Sequence, residues 1–108
     1  MKNWLLYSGL LVVNSLLISI SEGAAYGPPS PSVDSLNALA KVDSLSFYER
    51  IKISERAFSL AADQAYFSGQ YQAALTAGRS HAGLSQFEEA VSYFQTAYSL
   101  GEQMQNLS

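Results

Sequence analysis

The chain has no cysteine among its 108 residues, which excludes a disulfide framework and any thiolate-ligated zinc or iron–sulfur site. It has one histidine, His81, so a multi-histidine metal centre is excluded and a mixed site would need carboxylates from other helices. Charge is sparse: Asp, Glu, Lys and Arg make up 14% of the residues, and six basic against nine acidic side chains give a net charge of -3. That sign opposes counterion-driven nucleic-acid binding, and no nucleic-acid partner is expected. Proline occurs three times, always within residues 26–32. At 11.7 kDa there is room for one small domain, which excludes a multidomain enzyme. Ser80 adjoins His81, but helical neighbours point in different directions and no G-x-S-x-G turn is present. The reading is of a non-enzymatic chain without metal or cofactor.

Apolar surface is what the chain has in quantity: 48% of its residues are hydrophobic. Much of it lies at the start. Lys2 supplies a cationic end, positions 4–20 are apolar, and Gly23-Ala24-Ala25 forms a small-residue exit, the three zones of a secretory signal peptide. Cleavage is expected after Ala25, leaving an exported protein, periplasmic or extracellular. Retention of this segment would instead make a membrane-anchored helical structural or assembly protein, the only case in which a membrane contact is expected.

Residues 26–33 read as a proline-rich linker, since fixed φ and missing N–H groups favour an extended, solvated backbone. The remainder, 34–108, reads as a helical domain. A short helix is predicted over 34–42 with Leu36, Leu39 and Ala40 inward. Ser46-Phe-Tyr-Glu49 has capping-box spacing and predicts a helix from 46 to about 68, ending before Gly69. Phe47, Ile51, Phe58, Ala61, Ala62 and Ala65 mark one side of it, with Ile53, Ala57, Leu60 and Phe67 on another, so it needs two neighbours.

The clearest pattern follows. Tyr71, Ala74, Leu75, Gly78 and Ala82 recur at helical spacing, and Phe87, Ala90, Val91, Phe94, Ala97, Tyr98 and Gly101 repeat it sixteen residues later. Ser68-Gly-Gln is expected as the turn opening the first copy, and Ser85 with Glu88 as a capping box opening the second. Small residues in both copies let two helix backbones approach closely.

These residues resemble a tetratricopeptide repeat over residues 71–104, with a degenerate unit before it. Gly78 falls at that family's small position in the first helix. Phe87, Ala90, Phe94 and Ala97 fall at the aromatic and small positions of the second. Ala74, Ala77, His81 and Glu102 depart from the pattern, standing where an aromatic, leucine, tyrosine and proline are usual. The resemblance implies an all-α fold, a short antiparallel helix array forming a helix-turn-helix solenoid fragment. It also implies a protein or peptide partner on a concave face lined by first helices, here Gln72, Leu75, Thr76, Arg79 and Ala82. Arg79 would supply two parallel N–H groups to a partner's carboxylate.

A short alanine-rich array leaves open edges, from which self-association is a second expectation. Met104 and Leu107 continue the apolar pattern to the end, as in a truncated piece of a longer repeat protein. Asn106-Leu107-Ser108 matches a glycosylation sequon. His81, Phe and Tyr side chains at helical spacing are read as packing residues.

Overall fold

The computed structural model describes residues 28–107. The segment expected to be an export signal, with its expected cut after Ala25, lies outside these residues, as does Ser108 of the sequon. Among the described residues the fold is all-α: helix α1 spans Pro31–Leu39, α2 Phe47–Asp63, α3 Phe67–Gly83 and α4 Phe87–Leu107. None of them is long and apolar enough to cross a membrane.

Helix α1 begins earlier than the linker reading allows. Ser30 caps it, its Oγ accepting from the Val33 amide at 3.3 Å, and Pro31 sits in the first turn, where a missing N–H costs nothing. Pro31, Ser32 and Val33 are therefore helical. The inward stripe is Val33, Asn37 and Ala40, all buried, whereas Leu36 is half-buried and Leu39 faces outward. Polar Asn37 on that stripe disguised its phase.

The capping box at the start of α2 is present. The Glu49 amide donates to Ser46 Oγ at 3.1 Å, and the Ser46 amide donates to Glu49 Oε1 at 2.8 Å. Arg50 closes the preceding loop by donating to the carbonyls of Val42 and Asp43. The helix stops at Asp63, short of the expected 68, because Ala65 turns to φ 53°. Its amide donates to Ala62 O at 3.1 Å and that of Tyr66 to Ala61 O at 2.8 Å, the pair of bonds that closes a Schellman turn. Gly69 consequently lies in the first turn of α3, and Ser68-Gly-Gln is helix, not turn.

The same turn ends α3. Ser85 has φ 59°, its amide donating to Ala82 O at 2.9 Å and that of Gln86 to His81 O at 2.8 Å. A capping serine needs extended backbone, so Ser85 is the left-handed residue closing α3 and does not form the expected box with Glu88. The structural period, from Ala65 to Ser85 and from Phe67 to Phe87, is thus twenty residues, not sixteen.

Helix α3 is central. It packs antiparallel between α2 and α4, with α1 lying across α2 and the edge of α3. Close approach explains its composition. A Cβ at Gly78 would stand 2.6 Å from Phe94 Cε1, one at Gly83 2.5 Å from Phe47 Cζ, and one at Gly69 2.6 Å from Val33 Cγ1. Three larger side chains therefore rest directly on α3 backbone. Between them the interior is filled mainly by alanine: Ala57, Ala61, Ala73, Ala74, Ala77 and Ala97.

Candidate functional site

The five residues assigned to a binding face divide when α3 is placed among its neighbours. Gln72 and Arg79 are exposed, two turns apart on the same side. Leu75 and Ala82 are half-buried, on the flank carrying Tyr71 and Gly78, which contact α4. Thr76 is buried, and its hydroxyl donates to the Gln72 carbonyl at 3.1 Å. A partner docked on this face would not reach Thr76. Its β-branched side chain suits the helix interior because the hydroxyl is satisfied one turn back.

Gln72 belongs to a cleft of about 350 Å³ between α1 and α3, lined also by Asp34, Asn37, Lys41, Tyr66 and Ser68. Asp34 and Asn37 lie one turn apart on α1, and Lys41 follows in the turn after its end, so the three line one edge of the cleft. Lys41 Nζ donates to Gln72 Oε1 at 3.0 Å, spanning the cleft at one end. At the other, the Tyr66 hydroxyl donates to Asp34 Oδ1 at 2.7 Å. This hydrogen bond, reinforced by burial and by the Asp34 charge, holds the Tyr66 hydroxyl above the ordinary phenol range.

Asn37 forms the floor. It is only 5% exposed, and its Nδ2 donates to the Gly69 carbonyl at 3.2 Å. Its Oδ1 is buried and accepts no hydrogen bond from any described group. A buried amide oxygen left without a donor costs about 1–3 kcal/mol, and a ligand would recover part of that only if the Asn37 side chain turned its oxygen toward the cleft. Asn37 and Lys41 were not singled out in the sequence. The legible signal was a polar residue at the centre of the Val33, Asn37, Ala40 stripe.

His81 does packing work on the opposite flank of α3. Its ring stacks on Tyr93 with centroids 5.4 Å apart and planes 15° from parallel, and Nδ1 lies 2.7 Å from Gln86 Oε1. The Tyr93 hydroxyl donates to Glu55 Oε2 at 3.3 Å, linking α4 to α2 across α3. Burial, with the Glu55 charge and hydrogen bond, raises the Tyr93 hydroxyl above its ordinary range. Among the described residues no three His, Asp or Glu side chains gather closely enough to hold a metal ion. No protein-family model matches the chain, and it has no match among curated proteins or solved structures.

Proposed function

We propose that the protein is an exported helical interaction module that binds an extended peptide segment of another polypeptide along the α1–α3 cleft. The observation carrying this reading is the unpaired, buried Asn37 Oδ1 at the cleft floor. A peptide main chain offers what the cleft lacks and takes what it has: with the Asn37 amide turned toward the opening, the peptide N–H donates to Oδ1, and its carbonyl accepts from Lys41 or Gln72. Arg79, further along the same side of α3, takes a carboxylate on the bound segment. The resemblance to tetratricopeptide repeats supports the same placement, because α3 corresponds to a first helix and α1 to the one before it. Such a module needs no catalytic group, cofactor or metal.

Photo-crosslinking tests the reading. A photoreactive residue at position 72 should label a polypeptide partner in the host envelope, whereas one at exposed Ser59 on α2 should not. Asn37→Leu and Arg79→Glu should each weaken the adduct at position 72. Equal labelling from both positions, or indifference to both substitutions, would remove the cleft from the account.

A further inference from the structure

Three hydrogen bonds bridge the α1–α3 cleft at a nearly constant sequence offset. Tyr66 bonds Asp34 and Gly69 bonds Asn37, each 32 residues on, and Gln72 bonds Lys41 at 31. An offset that holds over two turns means that the two walls run parallel, so the cleft has distinct ends. Its first rung is anionic at Asp34, its second neutral at Asn37 and its third cationic at Lys41, and exposed Arg79 extends the positive end along α3.

None of these charges is neutralised within the fold. Among the described residues no carboxylate pairs with Lys41 or Arg79, and no cation pairs with Asp34. The phenol that donates to Asp34 is uncharged and uses only Oδ1. A place in the first turn of α1 suits an acid through the helix dipole, but that leaves the lone pairs of the second oxygen unspent. Asp43, the next acid along the chain, lies outside the cleft lining, and its carbonyl is tied to Arg50.

We propose, on the cleft reading above, that the Asp34 end is a subsite for a basic side chain of the bound segment, whose acidic residue lies toward Arg79. The spacing follows from the helix. Tyr66 to Arg79 is thirteen residues, about 20 Å along the axis, and an extended chain at ~3.3 Å per residue covers that in about six. The segment therefore carries Lys or Arg and, about six positions away, Asp or Glu. A cation donating to Asp34 Oδ2 leaves the Tyr66 bond to Oδ1 intact, so filling the subsite does not compete with the docking of α1. A segment acidic throughout sets a carboxylate against Asp34 and is rejected.

Selection of a random dodecapeptide phage library on the full chain, purified as its host processes it, tests this. The parent should enrich sequences holding a basic and an acidic residue about six apart. Asp34→Asn should erase the basic preference alone and Arg79→Gln the acidic preference alone. Synthetic peptides from the parent selection should bind each variant about three- to tenfold more weakly. An amide at position 34 still accepts from Tyr66, so hydrogen exchange at amides 33–40 should stay as in the parent, separating loss of the subsite from loss of α1. Gln72→Trp, which places a ring in the cleft, should abolish binding of the same peptides. Peptides blocked by Gln72→Trp that show no charge preference, or a preference that neither Asp34→Asn nor Arg79→Gln moves, would overturn the charge order and leave the cleft as the binding site. Peptides indifferent to Gln72→Trp, or no enrichment over an uncoated surface, would remove the cleft reading and the charge order together.

Discussion

Glycine at the two left-handed turn positions should stabilise the protein. Ala65 and Ser85 hold φ of 53° and 59°, where an L side chain crowds the following carbonyl at a cost of about 1–2 kcal/mol. Both side chains are exposed and neither is used as a cap, so replacing them removes little besides that strain. Glycine relieves the crowding but adds about 0.5–1 kcal/mol of freedom to the unfolded chain, leaving a net gain of about 0.5–1 kcal/mol per site. For a domain of roughly eighty residues, each kcal/mol moves the thermal midpoint by about 4–8 °C. The sites lie at opposite ends of α3, about 25 Å apart, so the gains should add. Thermal and urea melts followed by circular dichroism of Ala65→Gly, Ser85→Gly and the pair read this out. Ser59→Gly, at an exposed position inside α2, is the control and should lose about 0.5 kcal/mol. Glycine variants that melt at or below the parent temperature would show that these turns do not end the helices as described.

Further substitutions probe the contacts on α3. Gly78→Ala gains helix propensity but drives a methyl to 2.6 Å from Phe94 Cε1, and overpacking of about 1–3 kcal/mol exceeds that gain. Phe94 is 38% exposed and can swing outward, so a net loss of about 1 kcal/mol in urea melts is expected, and a gain would deny the contact. Gly69→Ala meets Val33, which is fully buried and cannot yield; α1 should lift, with hydrogen exchange quickening at amides 33–40 while α2–α4 keep their protection. Full protection there would refute this. The Tyr66 hydroxyl is held above the ordinary phenol pKa of about 10 in the fold, so its contribution is complete below about pH 10 and lost as pH rises through the raised value. Tyr66→Phe should cost about 0.5 kcal/mol at neutral pH and flatten the alkaline decline; a parent with no steeper decline than the variant would exclude the linkage.

The helical class was legible because the proline-free stretch repeats apolar and small residues at helical spacing, and the Ser46–Glu49 capping box marked one start correctly. The end of α2 was hidden. Turns closed by left-handed residues usually carry glycine, and here alanine and serine occupy those positions while Gly69, the visible glycine, serves close packing. That exchange displaced the apparent repeat from twenty residues to sixteen and made Ser85 look like a cap. Of the five residues assigned to a binding face, Gln72 and Arg79 are exposed, as polar residues on the outer side of a well-phased helix should be. Thr76 was misplaced because one residue of helical advance separates exposed from buried positions, and Asn37 was missed because its importance comes from the helix packed over it.

The cleft and the docking of α1 rest on the same groups. Val33 on Gly69, the Asn37 bond to the Gly69 carbonyl and the Tyr66 bond to Asp34 hold α1 in place, and Asn37 and Asp34 also line the cleft. With nine residues, α1 is below the length at which an isolated helix persists, so it exists by virtue of those contacts. In the reading proposed above, a ligand held by Asn37 on one wall and Gln72 on the other would bridge α1 to α3 and so bind only the docked form. Binding and docking are therefore one equilibrium: ligand at a hundred times its dissociation constant adds about 2.7 kcal/mol to docking, and a variant that lifts α1 loses affinity without losing a contact residue. Gly69→Ala separates the two ideas. Its methyl meets Val33 and also Tyr66, which lines the cleft, so loss of binding that tracks faster exchange at amides 33–40 would come from α1, and loss with those amides still protected would come from the cleft wall itself.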